Sequence, residues 1–220
     1  MSIKQTIAII GATGEMGSAI SRSLAGDNYR LLLYSNDQTQ LRLLVESILN
    51  SHAEADVEGI ACSTQAAWEA DIIIAAVPYE AEKEIAVKIK DVANTKIVIS
   101  ISNPVDETYN KLITASNTSA AEELQKLLPN SKVVKAFNTT FATDFSLLEI
   151  NGSQVDSFIA GDSGEALQTV AALVSAAGFN PVIAGDLYVS RTLENMQLLL
   201  IQLTIKYNYN RPASWKILHN

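Results

Sequence analysis

The chain is short of the residues that would open several classes of function. It has one cysteine, Cys62, in 220 residues, so no internal disulfide can form. Its two histidines, His52 and His219, stand far apart, and no group of His, Cys, Asp and Glu has metal-ligand spacing; no metal site is expected. No Lys/Arg run is long enough to make a basic patch, and the net charge of −8 repels phosphate backbones, which argues against a nucleic-acid partner. No apolar run reaches the ~18 residues that suggest a membrane span. There is no low-complexity segment and no obvious internal repeat. The opening MSIKQTIAII lacks the small-residue cleavage site of a signal peptide. With a lone thiol and no secretion signal, the expected compartment is the cytoplasm.

Hydrophobic residues make up 48% of the chain and charged residues 18%, the balance of a globular protein with a real core. Apolar runs alternate with helical patterns. Strands are expected at 6–10, 30–34, 57–61, 71–77, 96–101 and 132–137. Helices are expected at 15–25, 38–49, 80–90 and 119–128. This order means β-α-β units and a doubly wound, mostly parallel sheet. After about Leu147 the order loosens: strands at 154–160 and 181–184, a helix at 165–177 between them, and a long apolar helix at 187–207. The expected fold is therefore α/β, with a main domain at 1–147 and a small C-terminal α/β portion at 148–220. Ligands in such sheets bind beyond the carboxyl ends of the strands. That directs attention to residues 11–17, 34–37, 77–80, 100–105 and 137–142.

The most informative stretch is IAIIGATGEMGSAI, residues 7–20. Gly11, Gly14 and Gly17 follow a strand and open a helix. Glycine permits the tight turn and lets backbone come close to a pyrophosphate, while the helix N-terminus offers free N–H groups and a positive dipole end. The turn reads as a dinucleotide site. Its preference stays open from the residues alone. An acidic residue at the end of the second strand would favour NAD, and an arginine there NADP. LLLYSNDQTQLR has neither in place: Ser35 and Asn36 are neutral, Asp37 comes late, and Arg42 lies on the next helix.

IIGATGEMG, YSND, DIIIAAVPYE, IVISISNPVD and KVVKAFNTTFA stand in this order, followed by residues 160–195. Together they resemble the NADP-dependent oxidoreductases typified by the reductase of the deazaflavin coenzyme F420, and the cytosolic reductase part of six-transmembrane ferric reductases. The resemblance implies a Rossmann domain holding NADP(H), a C-terminal part that closes the cleft and often mediates homodimers, and direct hydride transfer to a flavin-like or other planar small-molecule acceptor. It implies that Gly11, Ala12, Thr13, Gly14, Glu15 and Met16 meet the pyrophosphate, and that Ser35 and Asn36 lie at the 2′-phosphate. Val77 and Pro78 would run along the cofactor, Asn103 and Ala142 would lie near the nicotinamide, and Asn138 and Thr140 would face the second substrate. No residue is assigned as a catalytic acid or base. Two departures stand out. The family commonly carries an arginine where this chain has Asn36, and the deazaflavin reductase carries a histidine where it has Asn138.

Three other features invite function. Tyr79 and Lys83 have the Y-x-x-x-K spacing of short-chain dehydrogenases but follow the wrong strand. Cys62 has no base nearby in sequence and reads as a buried structural thiol. Leu193, Met196, Leu199, Leu200 and Leu203 recur at helical spacing and read as core or dimer interface, with Arg191 and Glu194 as an intrahelical pair. The segment around Trp215 reads as an arm packing back on the body, with Arg211 as a candidate for a substrate anion. The rival function is a non-enzymatic dinucleotide-binding redox sensor.

Overall fold

The computed structural model describes residues 4–209 and 213–219. The chain runs β1 (Gln5–Ile10), α1 (Glu15–Leu24), β2 (Tyr29–Tyr34), α2 (Gln38–Ser51), β3 (Asp56–Gly59), α3 (Ser63–Glu69), β4 (Ile72–Ala75), α4 (Tyr79–Ile89), β5 (Ile97–Ser100), α5 (Ala120–Leu127) and β6 (Lys132–Lys135). A 3-10 turn (Ala142–Ser146) leads into the hairpin β7 (Glu149–Ile150) and β8 (Ser153–Gln154). Then come β9 (Asp156–Gly161), α6 (Gly164–Ala176), β10 (Asn180–Gly185), a short 3-10 turn (Leu187–Val189) and α7 (Ser190–Tyr207). The expected elements are all present, within a few residues at their ends. Helix α3 and the β7–β8 hairpin are additions. Both are too short for periodicity to announce them.

Eight strands form one sheet in the order β3-β2-β1-β4-β5-β6-β9-β10, and only the β6–β9 pairing is antiparallel. The inner strands, unlike the edge strands β3 and β10, are buried on both faces, and their side chains alternate between two cores, as period two requires. Ile7, Ile9, Leu31, Leu33, Ile72 and Ile74 pack against α1, α2 and α6. Ala8, Ile10, Leu32, Ile73 and Val98 pack against α3, α4 and α5. Strands β9 and β10 join the main sheet through β9, whereas β7 and β8 form a separate two-stranded hairpin. Because β9 is antiparallel to β6, its first residues lie at the edge where β1–β6 end. Residues 213–219 return to that edge: the Trp215 carbonyl accepts from Asp156 N, and the Asp156 carboxylate accepts from Lys216 Nζ at 2.7 Å and Ile217 N at 2.7 Å.

The last helix is only partly a core element. Leu193 and Leu200 are buried, Met196 and Leu203 half-buried, and Leu199 exposed. Arg191 and Glu194 do not pair with each other, which corrects the sequence reading. Arg191 forks onto Glu122 of α5, at 2.8 and 2.5 Å, and Glu194 turns inward to Lys135. Each finds a better partner in the neighbouring element than one turn along its own helix.

Candidate dinucleotide site

The strand order reverses at β1, which lies between β2 and β4, and a crevice opens there. Gly11 sits at φ +89°, a conformation that disfavours any side chain. An added Cβ at Gly11 would meet the Ala76 carbonyl oxygen at 2.2 Å, and one at Gly17 would meet the Gly11 carbonyl oxygen at 2.2 Å. These two glycines are demanded by strand–helix packing. Gly14 is different: a Cβ there would approach only the Gly11 oxygen, at 3.3 Å, and would otherwise project into the open.

Side-chain caps close some helix starts and leave others open. α2 is capped by Asp37, whose carboxylate accepts from Thr39 N and Gln40 N, α5 by Ser119 and α6 by Ser163. α1 begins at Gly14 with no side-chain cap, and α3, α4 and α7 also start uncapped. At α1 the first-turn donors open beside the glycine turn, and the helix dipole favours an anion there.

A groove of about 250 Å³ runs from this turn between the end of β2 and the face of α4. Gly11, Thr13, Gly14, Ser35, Asn36, Val77 and Pro78 all line it. Buried Ala12 and half-buried Met16 belong to the same turn, and Glu15 is exposed beside it. Thr13 Oγ1 and Ser35 Oγ share a hydrogen bond of 2.6 Å, which joins the glycine turn to the β2 end. Asp37 is occupied in its cap and does not point at the groove. Arg42 is exposed and is not among the lining residues. The corner is not without charge, as the sequence suggested: Glu84 and Lys88 of α4 form its far wall. They stand about fifty residues from Ser35, so only the stripe Ala81, Glu84, Ile85, Lys88 on the helix after β4 could have pointed to them.

Asn103, Asn138, Thr140 and Ala142 do not line this groove; they lie beyond β5 and β6, and Ala142 lines a separate cavity with Glu15 and Ser18 of α1. Asn103 and Asn138 exchange hydrogen bonds: Asn103 Nδ2 donates to the Asn138 carbonyl and Asn138 Nδ2 to Asn103 Oδ1, both at 2.9 Å. Asn138 Oδ1 is buried and has no protein partner among the described residues. Phe137, just before it, holds φ +60°, a strained backbone of the kind that collects at functional sites. Thr140 is buried, and its hydroxyl donates inward to the Phe137 carbonyl. Half-buried Ala142 opens the 3-10 turn. That turn is fixed by Asp144, whose carboxylate accepts from Phe141 N at 2.8 Å and from the Ser214 hydroxyl at 2.9 Å.

Beneath these residues lies a buried charge cluster that the sequence did not disclose. Lys135 Nζ is 2.7 Å from Glu194 Oε1, with both side chains fully buried, and donates to the Ser102 carbonyl at 2.6 Å. Glu82 Oε1 accepts from the hydroxyls of Ser100 and Ser102. Two carboxylates therefore share one cation. Burial pushes the Glu82 carboxyl up to about 7, against the pull of Lys135 and the serines. Glu194 Oε2 also accepts from Ala120 N at the start of α5. The cluster thus ties α4, α5, β5, β6 and α7 together under the segment that carries Asn103.

The remaining candidates fall away from the groove. Tyr79 donates to Glu123 at 2.6 Å, and burial and that carboxylate push its acidity down, the reverse of what a catalytic tyrosine needs. Cys62 is exposed rather than buried. The N–H groups of Gln65 and Thr64 hold its thiol below the usual value. No metal-binding group of His, Cys, Asp and Glu occurs among the described residues, and no described helix is long and apolar enough to cross a membrane. Trp215 packs back against Phe158, Ala160 and Leu193. Arg211 lies outside the described residues.

Comparison with known proteins decides the lineage. The family described as NADP oxidoreductase coenzyme F420-dependent matches residues 6–104. The F420-dependent NADP reductase of Methanocaldococcus jannaschii is 30% identical over 210 residues, which cover 91% of this chain and 93% of that one. The chain belongs to the F420-dependent NADP oxidoreductase family. Metalloreductase STEAP3 of Rattus norvegicus is 26% identical over 96% of this chain and 38% of its own length. A solved structure from Arthrobacter sp. FB24, offered as an F420-dependent NADP reductase, superposes with a TM-score of 0.79 at 22% identity, covering 92% and 94% of the two chains, and shares the fold. Family membership makes the chain an oxidoreductase and sets the sensor reading aside.

Proposed function

We propose that this NADP-dependent oxidoreductase passes hydride directly between the nicotinamide ring and a planar acceptor of the deazaflavin or flavin type. NADP is the dinucleotide, and its reduced ring supplies the hydride when bound. The observation that carries the placement is the glycine turn itself: Gly11 at φ +89° and the exposed Gly14 bring the start of α1 into the groove beside Ser35 and Asn36. Backbone from Thr13 to Met16 would take the pyrophosphate. Ser35 and Asn36 would take the adenosine end, and Val77 and Pro78 the length between. Asn103, Asn138 and Ala142 would bound the nicotinamide, where the free acceptor at Asn138 Oδ1 suits a carboxamide N–H. Direct transfer between stacked rings requires positioning, and the chain's part is to hold the ring and exclude water. Residues after 147 would close that side through α7 and the segment around Ser214. A cytoplasmic homodimer belongs to the same proposal, its exposed Tyr188, Leu199 and Ile205 being available to a second copy; light scattering would return one-chain mass if this part is wrong.

The test is anaerobic oxidation of NADPH and of NADH, followed by nicotinamide absorbance, with deazaflavin, FMN, FAD and ferric chelates as separate acceptors. NADPH turnover with deazaflavin is expected. Tight NADPH binding without turnover on any of the four would overturn the acceptor class.

A further inference from the structure

The β2 side of the adenosine corner brings no positive charge. Asn36 is neutral, Asp37 is held in its helix cap, and the Ser35 hydroxyl is bonded to Thr13. With a net charge of −8 over the chain, a phosphate dianion arriving there needs a cation from elsewhere. The opposite wall has one. Ala81, Glu84, Ile85 and Lys88 recur at i, i+3, i+4 and i+7 along α4 and face the groove, and Lys88 is the single cation among its described lining residues. The Lys88 ammonium is close enough to feel the Tyr34 hydroxyl, and that hydroxyl donates to Asn36 Oδ1 at 2.8 Å. Its present partner is Glu84, at 2.6 Å, with the side chains 43% and 68% exposed. So open a pair on one helix is weak and exchanges readily.

We propose that Lys88 selects NADP over NAD by leaving Glu84 for the adenosine 2′-phosphate, supplying from α4 the charge that the β2 side of the groove lacks. The proposal rests on NADP occupying this groove. A dianionic phosphate outbids a single carboxylate for one ammonium, and the long lysine stem lets it swing between them. Glu84 then works in the opposite sense. Its carboxylate competes for the ammonium and repels the phosphate, so the two residues should show effects of opposite sign.

The experiment is a pair of fluorescence titrations, NADPH and NADH, on the wild type and on Lys88→Met, Glu84→Gln and Arg22→Gln. Lys88→Met should weaken NADPH about tenfold or more, the scale of one charge-assisted contact, and leave NADH nearly unchanged. Glu84→Gln should tighten NADPH and spare NADH. Equal losses for both nucleotides, or none, in Lys88→Met would overturn the proposal. So would an NADPH-specific loss confined to Arg22→Gln, because Arg22 lines a small cleft with Thr13 and Gln40 on the α1 side. A wild type that binds neither nucleotide would remove the dinucleotide reading itself, and this inference with it.

Discussion

Two regions at the carboxyl edge of the sheet are built by different means. The groove, the proposed adenosine end, is made from backbone and mostly small side chains: a glycine turn, the last residues of β2 and one face of α4. It is open to solvent, and its one ion pair is exposed. The Asn103–Asn138 region, the proposed nicotinamide end, rests on buried charge and long-range contacts. Lys135, Glu82, Glu194 and Asp144 come from four separate elements, and each is almost wholly enclosed. One end recognises by leaving groups free, the other by fixing them. The difference also decides where substitution is tolerated.

The sharpest way to break this contrast is to remove the cation between the two buried carboxylates. Lys135→Met should cost roughly 3–5 kcal/mol in chemical unfolding, because it strands buried negative charge. A loss below about 1 kcal/mol would mean that water or a proton already neutralises the cluster. Glu82→Gln tests the same cluster through pH. The Glu82 carboxyl lies at about 7 in the fold against an ordinary 4.5. Its contribution is therefore full below 4.5 and lost as pH rises through 7. Gln removes that dependence, so the stability of the variant relative to wild type should grow by about 2.5 kcal/mol between pH 5 and pH 8. A flat difference across that range in urea midpoints would deny the buried titration. The smallest effect on stability belongs to the adenosine end. Gly17→Ala should destabilise by about 1–3 kcal/mol, since its Cβ collides with the Gly11 carbonyl. Gly14→Ala should change unfolding by less than about 1 kcal/mol while abolishing most NADPH affinity, because on the proposed placement its Cβ would project at the pyrophosphate. Equal damage from both in the folded protein would erase the distinction between packing glycine and binding glycine.

The same contrast governed what could be read in advance. Gly11–Gly17, Ser35, Asn36, Val77 and Pro78 were legible because local pattern alone puts them at strand ends on one edge. The sheet followed from alternation of strand and helix. Lys88 was missed because its distance from Ser35 along the chain hides a shared groove. The Lys135–Glu194 pair was missed because Glu194 had an obvious neighbour, Arg191, on its own helix, and only packing against α5 and β6 separates them. Cys62 was misplaced because α3 is too short to show a buried face, and its cap position turns the thiol outward.

The reciprocal amide pair of Asn103 and Asn138 bears on rates. Two hydrogen bonds hold the β5 and β6 loops in register within the protein alone. No loop there has to be ordered when a ring arrives, so little conformational freedom is lost at that end. On the proposed placement, encounter would be governed by diffusion and charge at the open groove, and residence by the rigid amide pair.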